Sequence, residues 1–167
     1  MKALVIRQPY ASQIMFGSKK IEYRSWHPGK VTDFLVVSSA KSQQGTFDLM
    51  LLKRTALATV HIDRVSQDDD IYAWHLTVTS WVKPFLVKGK LGWLSIDDRL
   101  IHQNTAVLAD LKSYRCDKIV SSRIEPFEKE LSAIAMSQMP KTYAKVLADS
   151  GLDELYKVWQ ARHQHGY

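Results

Sequence analysis

The sequence predicts an α+β protein in which strands and helices are segregated: a small β-barrel unit over residues 1–97, with a helix after its first strand, then a helical extension over 98–167. Two observations carry that expectation. Short β-rich runs, alternating or continuously apolar, fill the first unit and are punctuated by Gly, Pro and Asp turns; apolar residues at helical spacing fill the second. No internal repeat relates the two units.

The elements follow in order. KALVIR, Lys2 to Arg7, reads as a strand, and QPYASQIMFG as a helix. Pro9 suits a first helical turn, since its φ is already helical and its missing N–H has no partner there; Ala11, Ile14 and Met15 form the apolar stripe, and Gly17 ends it. KKIEYRSW alternates, with Ile21 and Tyr23 on one side and Lys20, Glu22, Arg24 and Trp26 on the other. That strand therefore has one polar face. HPGK is a turn, and DFLVVSSA has the continuous apolar centre of a strand buried on both faces. FDLMLLKR fits a short helix or a strand equally well. TALATVHIDRV and AWHLTVTSWV are strands joined by the acidic turn QDDD, and Pro84, Gly89 and Gly92 break PFLVKGKLGWLSI into an edge segment suited to closing a barrel.

Beyond residue 97 the texture becomes helical. DDRLIHQNTAVLADLKSY offers Asp97 or Asp98 as an N-cap, and EPFEKELSAIAMSQM places Pro126 and its acidic neighbours at a helix start. In KTYAKVLADSGLDELYKVWQARHQ, Gly151 separates a helix at Thr142–Asp149 from one at Leu152–Gln164.

Composition excludes several classes. A hydrophobic content of 46% and a charged content of 24% are not those of a disordered chain, and the longest aliphatic run, LMLL, is too short to cross a bilayer. Charge returns at Arg7 without a small-residue cleavage pattern, so the opening apolar run reads as a strand and not as a secretory signal. Cys116 stands alone, which rules out an intrachain disulfide or a cysteine metal site and agrees with a reducing, cytoplasmic setting. His61, His75 and His102 are isolated, and His163 and His165 lie in a polar tail without further ligands, so no metal or cofactor is expected. Residues 1–45 carry seven Lys or Arg against two Asp or Glu, whereas the other segments are nearly balanced. Such a local excess concentrates polyanions, as in a nucleic-acid binder.

The stretch LVIRQPYASQIMFGSKKIEYRSW resembles the signature of the ASCH family: a strand, Gln-Pro-(Trp/Tyr)-Ala opening a helix, Gly-x-Lys, then (Ile/Val)-Glu-x-Arg-Ser-Trp. VVSSAK, YAWHLTV and PFLVKGKLGW resemble further motifs of that family, in register over residues 2 to 95; the resemblance does not extend to 100–167. It implies a PUA-like β-barrel, a group whose relatives bind RNA or modified bases, with a cleft where the Gln-Pro helix, the lysine turn and the Glu-x-Arg strand converge. Carried onto this chain, the cleft would use Gln8, Tyr10, Ser12, Lys19, Lys20, Glu22, Arg24, Ser25, Trp26 and Lys41. The residues themselves agree with that direction. Helix-start N–H groups suit an anion, the Lys and Arg side chains supply charge, and Tyr10 and Trp26 offer faces on which a base stacks for about 1–3 kcal/mol.

Three functions stand at this point. The first is binding of RNA, or DNA, or a modified nucleotide, with Arg24 and Lys19 on phosphate or a carbonyl, Glu22 accepting from a base and Gln8 reading a second edge. The second is a metal-free hydrolase, a ribonuclease or a nucleoside amidohydrolase, with Lys19 and Glu22 as its catalytic residues. A branch similar to the family cleaves N(4)-acetylcytidine with Lys-x-x-Thr and a later Glu; here Glu22 replaces the threonine, and no Glu occurs between Phe47 and Asp98. That argues for recognition over bond breaking. The third is a protein-interaction module, monomeric or paired through its C-terminal helices.

Overall fold

A computed structural model of the chain describes residues 1–110 and 124–163. Seven strands, β1 (Lys2–Gln8), β2 (Ile21–Arg24), β3 (Asp33–Ser42), β4 (Thr55–Asp68), β5 (Ile71–Leu86), β6 (Trp93–Ser95) and β7 (Gln103–Asn104), form one mixed sheet. Helix α1 (Tyr10–Met15) follows β1; α2 covers 106–110, and α3 (Ile124–Gln138) and α4 (Lys141–His163) follow. The sheet order is β2-β5-β4-β3-β1-β6, with β7 on β5. Only the β1–β3 pair is parallel among those pairings. The chain is thus α+β, with its strands first and its long helices last.

The expected closed barrel is not formed. The two ends of the sheet, β2 and β6, share no ladder. Indole rings stand between them: Trp26, just past β2, makes edge contacts with Trp74 at 4.9 Å and with Trp93 of β6 at 5.5 Å. Strands must approach to about 4.8 Å to exchange backbone hydrogen bonds, and rings of this size keep the edges further apart. The seam is closed by aromatic packing instead.

β3 is buried on both faces, as its apolar run predicts. Phe34 and Val36 enter one cluster with Leu4, Trp74 and Trp81, while Leu35 and Val37 enter the other with Ala3 and Val82. The helices are continuous with this core. Phe127 and Leu131 of α3 join the first cluster, and the Phe127 ring lies 4.7 Å from Trp81. α4 packs Tyr143, Leu155 and Trp159 over Leu49 in the β3–β4 connection, and breaks at Gly151 (φ 81°), where the sequence places the split. Gln164 lies outside the described residues.

Several local expectations are revised. FDLMLLKR is neither helix nor strand but a bent connection between β3 and β4. β5 runs through Pro84 to Leu86 because that proline falls inside the register shift of the β4–β5 ladder between Ala56 and Ala58, where no donor is required of it. Asp97 does act as a cap, accepting from Arg99 N–H at 3.0 Å, but it caps only a 3₁₀ turn at Asp98–Leu100. β7 comes next, and helix resumes at residue 106. The part of that predicted helix beyond residue 110 lies outside the described residues.

Candidate functional site

β6 pairs with β1 only from Lys2 to Leu4, which leaves the following residues of β1 without a neighbour on that side. A cleft of about 1020 Å³ opens there. Its floor and walls come from Leu4 to Arg7 of β1, Glu22 and Arg24 of β2, Ser38 to Ala40 at the end of β3, Arg54, and the loop from Leu86 to Gly92; Tyr10 closes the α1 side. The cleft is the part of the seam that neither strand pairing nor the tryptophans fill.

The alternation of β2 is as its sequence predicts, but the polar face is the inner one. Tyr23 is 60% exposed, whereas Glu22 is 7% exposed. A buried carboxylate needs compensating charge, and two cations supply it. Arg24 Nη2 donates to Glu22 Oε1 at 2.9 Å, and Lys19 Nζ to Oε2 at 3.1 Å. Lys19 is held further by the Ile21 carbonyl and by the Tyr10 and Tyr23 rings, with centroids at 5.7 and 5.6 Å. Arg24 Nη2 also lies 3.4 Å from the carbonyl oxygen of Val5, on the unpaired stretch of β1, while its buried Nε has no hydrogen-bond partner among the described residues.

α1 is shaped from beneath. Gln8 is fully buried; its Nε2 donates to the Leu52 carbonyl at 2.8 Å, and its Oε1 accepts from Ser12 N–H at 3.1 Å. The amide at the helix start that looked open to an anion is therefore occupied, and both ends of Gln8 are committed to backbone. Pro9 stands at the N-cap position after a cis peptide bond, and α1 is only six residues long. Tyr10 donates its hydroxyl to Gln43 Oε1 and keeps its ring on the cleft wall.

Of the residues expected from sequence, Tyr10, Glu22 and Arg24 line the cleft, and Lys19 backs Glu22. Gln8 and Ser12 are buried beneath the helix start. Trp26 belongs to the aromatic seam, and Lys20, Ser25 and Lys41 are exposed away from the cleft lining. Sequence reasoning missed Arg7, Arg54, Lys88 and Lys90. All four line the cleft, and among the described residues none makes an ion pair. The signal for two of them was present: VKGKLG sets lysines on either side of a glycine, and a Cβ on Gly89 would come 2.9 Å from Val5 Cγ2. The loop can lie on β1 only because residue 89 has no side chain.

The profile of the ASCH domain family matches residues 4–160. The chain belongs to the ASCH domain family. No curated protein matches it. The ASCH match continues past residue 97 through α3 and most of α4, so the helices fall inside the family unit. Membership in the ASCH family is consistent with RNA binding or a related activity. Among the described residues, no helix is long and apolar enough to cross a membrane, and no group of three or more His, Cys, Asp or Glu is placed to hold a metal ion.

Proposed function

We propose that this ASCH domain binds single-stranded RNA, or a nucleotide of it, in the cleft beside β1. The observation that carries the proposal is charge: among the described residues Arg7, Arg54, Lys88 and Lys90 surround the opening without ion-pair partners, and Glu22, the only acid among the described lining residues, is already neutralised by Lys19 and Arg24. A cleft of this balance favours phosphates at its rim. Its interior suits a base. Tyr10 offers a flat face, and the Glu22 carboxylate has two of its roughly four lone-pair sites engaged, leaving acceptor capacity beside the Arg24 donors. In this reading Glu22 and Arg24 recognise a base edge, the basic rim holds the backbone, the helical half supports the cleft, and the setting is cytoplasmic.

Fluorescence anisotropy with a labelled single-stranded RNA tests the proposal. Affinity should fall with salt, and Lys88→Ala with Lys90→Ala should lower the slope of log affinity against log salt by about 1.4, the increment for two single-strand phosphates. Equal affinity for single-stranded DNA would remove the preference for RNA. Salt-independent binding, or none, would overturn the cleft reading.

The 3.1 Å contact between Lys19 and Glu22 supports a second reading, a metal-free hydrolase acting on RNA or on an acetylated nucleoside. Its mark is time-dependent product release that disappears in Lys19→Ala. Binding without turnover over hours excludes it.

A further inference from the structure

Arg54 has a backbone conformation that its residue type does not favour. Only two non-glycine residues among those described have positive φ, Asp69 (49°) and Arg54 (54°). The first is an aspartate in a tight turn, a common occupant of that region; an arginine there is uncommon. A strained residue persists where its surroundings over-determine it. They do so here from three sides. Before Arg54, the side-chain amide of Gln138 at the end of α3 grips Lys53 twice, accepting from its N–H at 2.8 Å and donating to its carbonyl at 2.7 Å. After Arg54, Thr55 N–H donates to the buried Ser38 hydroxyl at 3.0 Å. The Arg54 carbonyl itself accepts from Val87 N–H at 2.7 Å, at the start of the lysine loop.

Backbone shape alone would be served better by glycine, so an arginine at this position points to a use for its guanidinium. Arg54 is one of the residues that line the cleft, and its side chain is exposed and makes no ion pair among the described residues. We infer that Arg54 is an anchor for a ligand phosphate and that Gln138, reaching from the C-terminal helices, is its positioning residue. The inference rests on the cleft's binding an anionic ligand. It gives α3 a part in recognition although the helix contributes no residue to the lining.

The test uses the full chain and a labelled single-stranded RNA of about 12 nucleotides, titrated across a salt series. Arg54→Gly should bind several-fold more weakly at low salt, with a slope reduced by about 0.7. Its melting temperature should hold or rise, since glycine takes the left-handed conformation freely. Arg54→Lys should keep the wild-type slope. Gln138→Ala should weaken binding by about threefold in the wild-type background and leave Arg54→Gly unaltered. Wild-type binding with Arg54→Gly indistinguishable from it, or weakened with no change of slope, overturns the anchor and leaves the cleft reading intact. Equal losses from Gln138→Ala in both backgrounds overturn the positioning role. A wild-type protein that does not bind RNA removes the cleft reading and this inference together.

Discussion

Substituting Glu22 by Gln keeps the shape of the side chain and one acceptor for Arg24 but removes the charge that Lys19 and Arg24 share. Leaving a buried ion without its partner costs about 3–5 kcal/mol. Here the Lys19 and Arg24 side chains are 18% and 24% exposed, so water answers part of the stranded charge. The expected loss is then about 2–3 kcal/mol. For a urea slope of about 2 kcal/mol/M this lowers the unfolding midpoint by roughly 1 M, a shift read directly from tryptophan fluorescence. The double variant Lys19→Met, Glu22→Gln removes one stranded cation with its counter-charge and should recover about 1 kcal/mol relative to simple addition of the single effects. A Glu22→Gln protein within about 0.5 kcal/mol of wild type would refute the reasoning, because the carboxylate would then not be what holds the two cations inward. Strict additivity in the double variant would refute the pairing of Lys19 with Glu22.

Three further outcomes are expected. Gly89→Ala drives a methyl into Val5 and should displace the lysine loop, weakening RNA binding while lowering stability by only about 1 kcal/mol; full retained affinity would show that the loop's seat on β1 is immaterial. Phe127→Ala empties the contact with Trp81 and should cost about 3–4 kcal/mol, with proteolysis accelerated in the C-terminal helices, so a variant as stable as wild type would exclude α3 from the core. The His61 side chain hydrogen-bonds Asp33 and, with Thr32, holds its carboxyl below the ordinary carboxylate value. Asp33 therefore contributes stability that is fully present above its unfolded value of about 3.9 and is lost as pH falls through the lower folded value. The pair is half exposed, so the effect is at most about 0.5 kcal/mol, and Asp33→Asn should remove it from acid titrations monitored by circular dichroism.

How much of this was legible in the sequence depends on the reach of the interaction. The β1–turn–α1 unit, the stop at Gly17, the double burial of β3 and the break at Gly151 each follow from a few neighbouring residues, and the structure places them accordingly. The alternation of β2 was equally plain, but its direction was not. Tyr23 looks like the inward residue until Lys19 is known to fold back on Glu22, a contact that depends on the turn and not on the strand. Gln8 shows the same limit. Nothing local says that its amide reaches a carbonyl 44 residues away. The basic rim was hidden for a topological reason: Arg7 comes from β1, Arg54 from the β3–β4 connection and Lys88 from the loop after β5, and the charge excess of the first 45 residues points mostly to lysines that lie outside the cleft. Proline gave a misleading signal at position 84, where β5 bulges out of register with β4 and makes room for it.

The tryptophans that close the seam have an optical consequence. Trp74 and Trp93 lie nearly parallel, 5.6 Å apart and inclined by 19°, one on β5 and the other on the far edge strand β6. Two indoles so placed are coupled chromophores, and Trp26 stands edge-on to both. Any ligand that spreads or tightens the two sheet margins changes the geometry of that trio, so the native protein carries its own spectroscopic gauge of cleft opening, readable without a label.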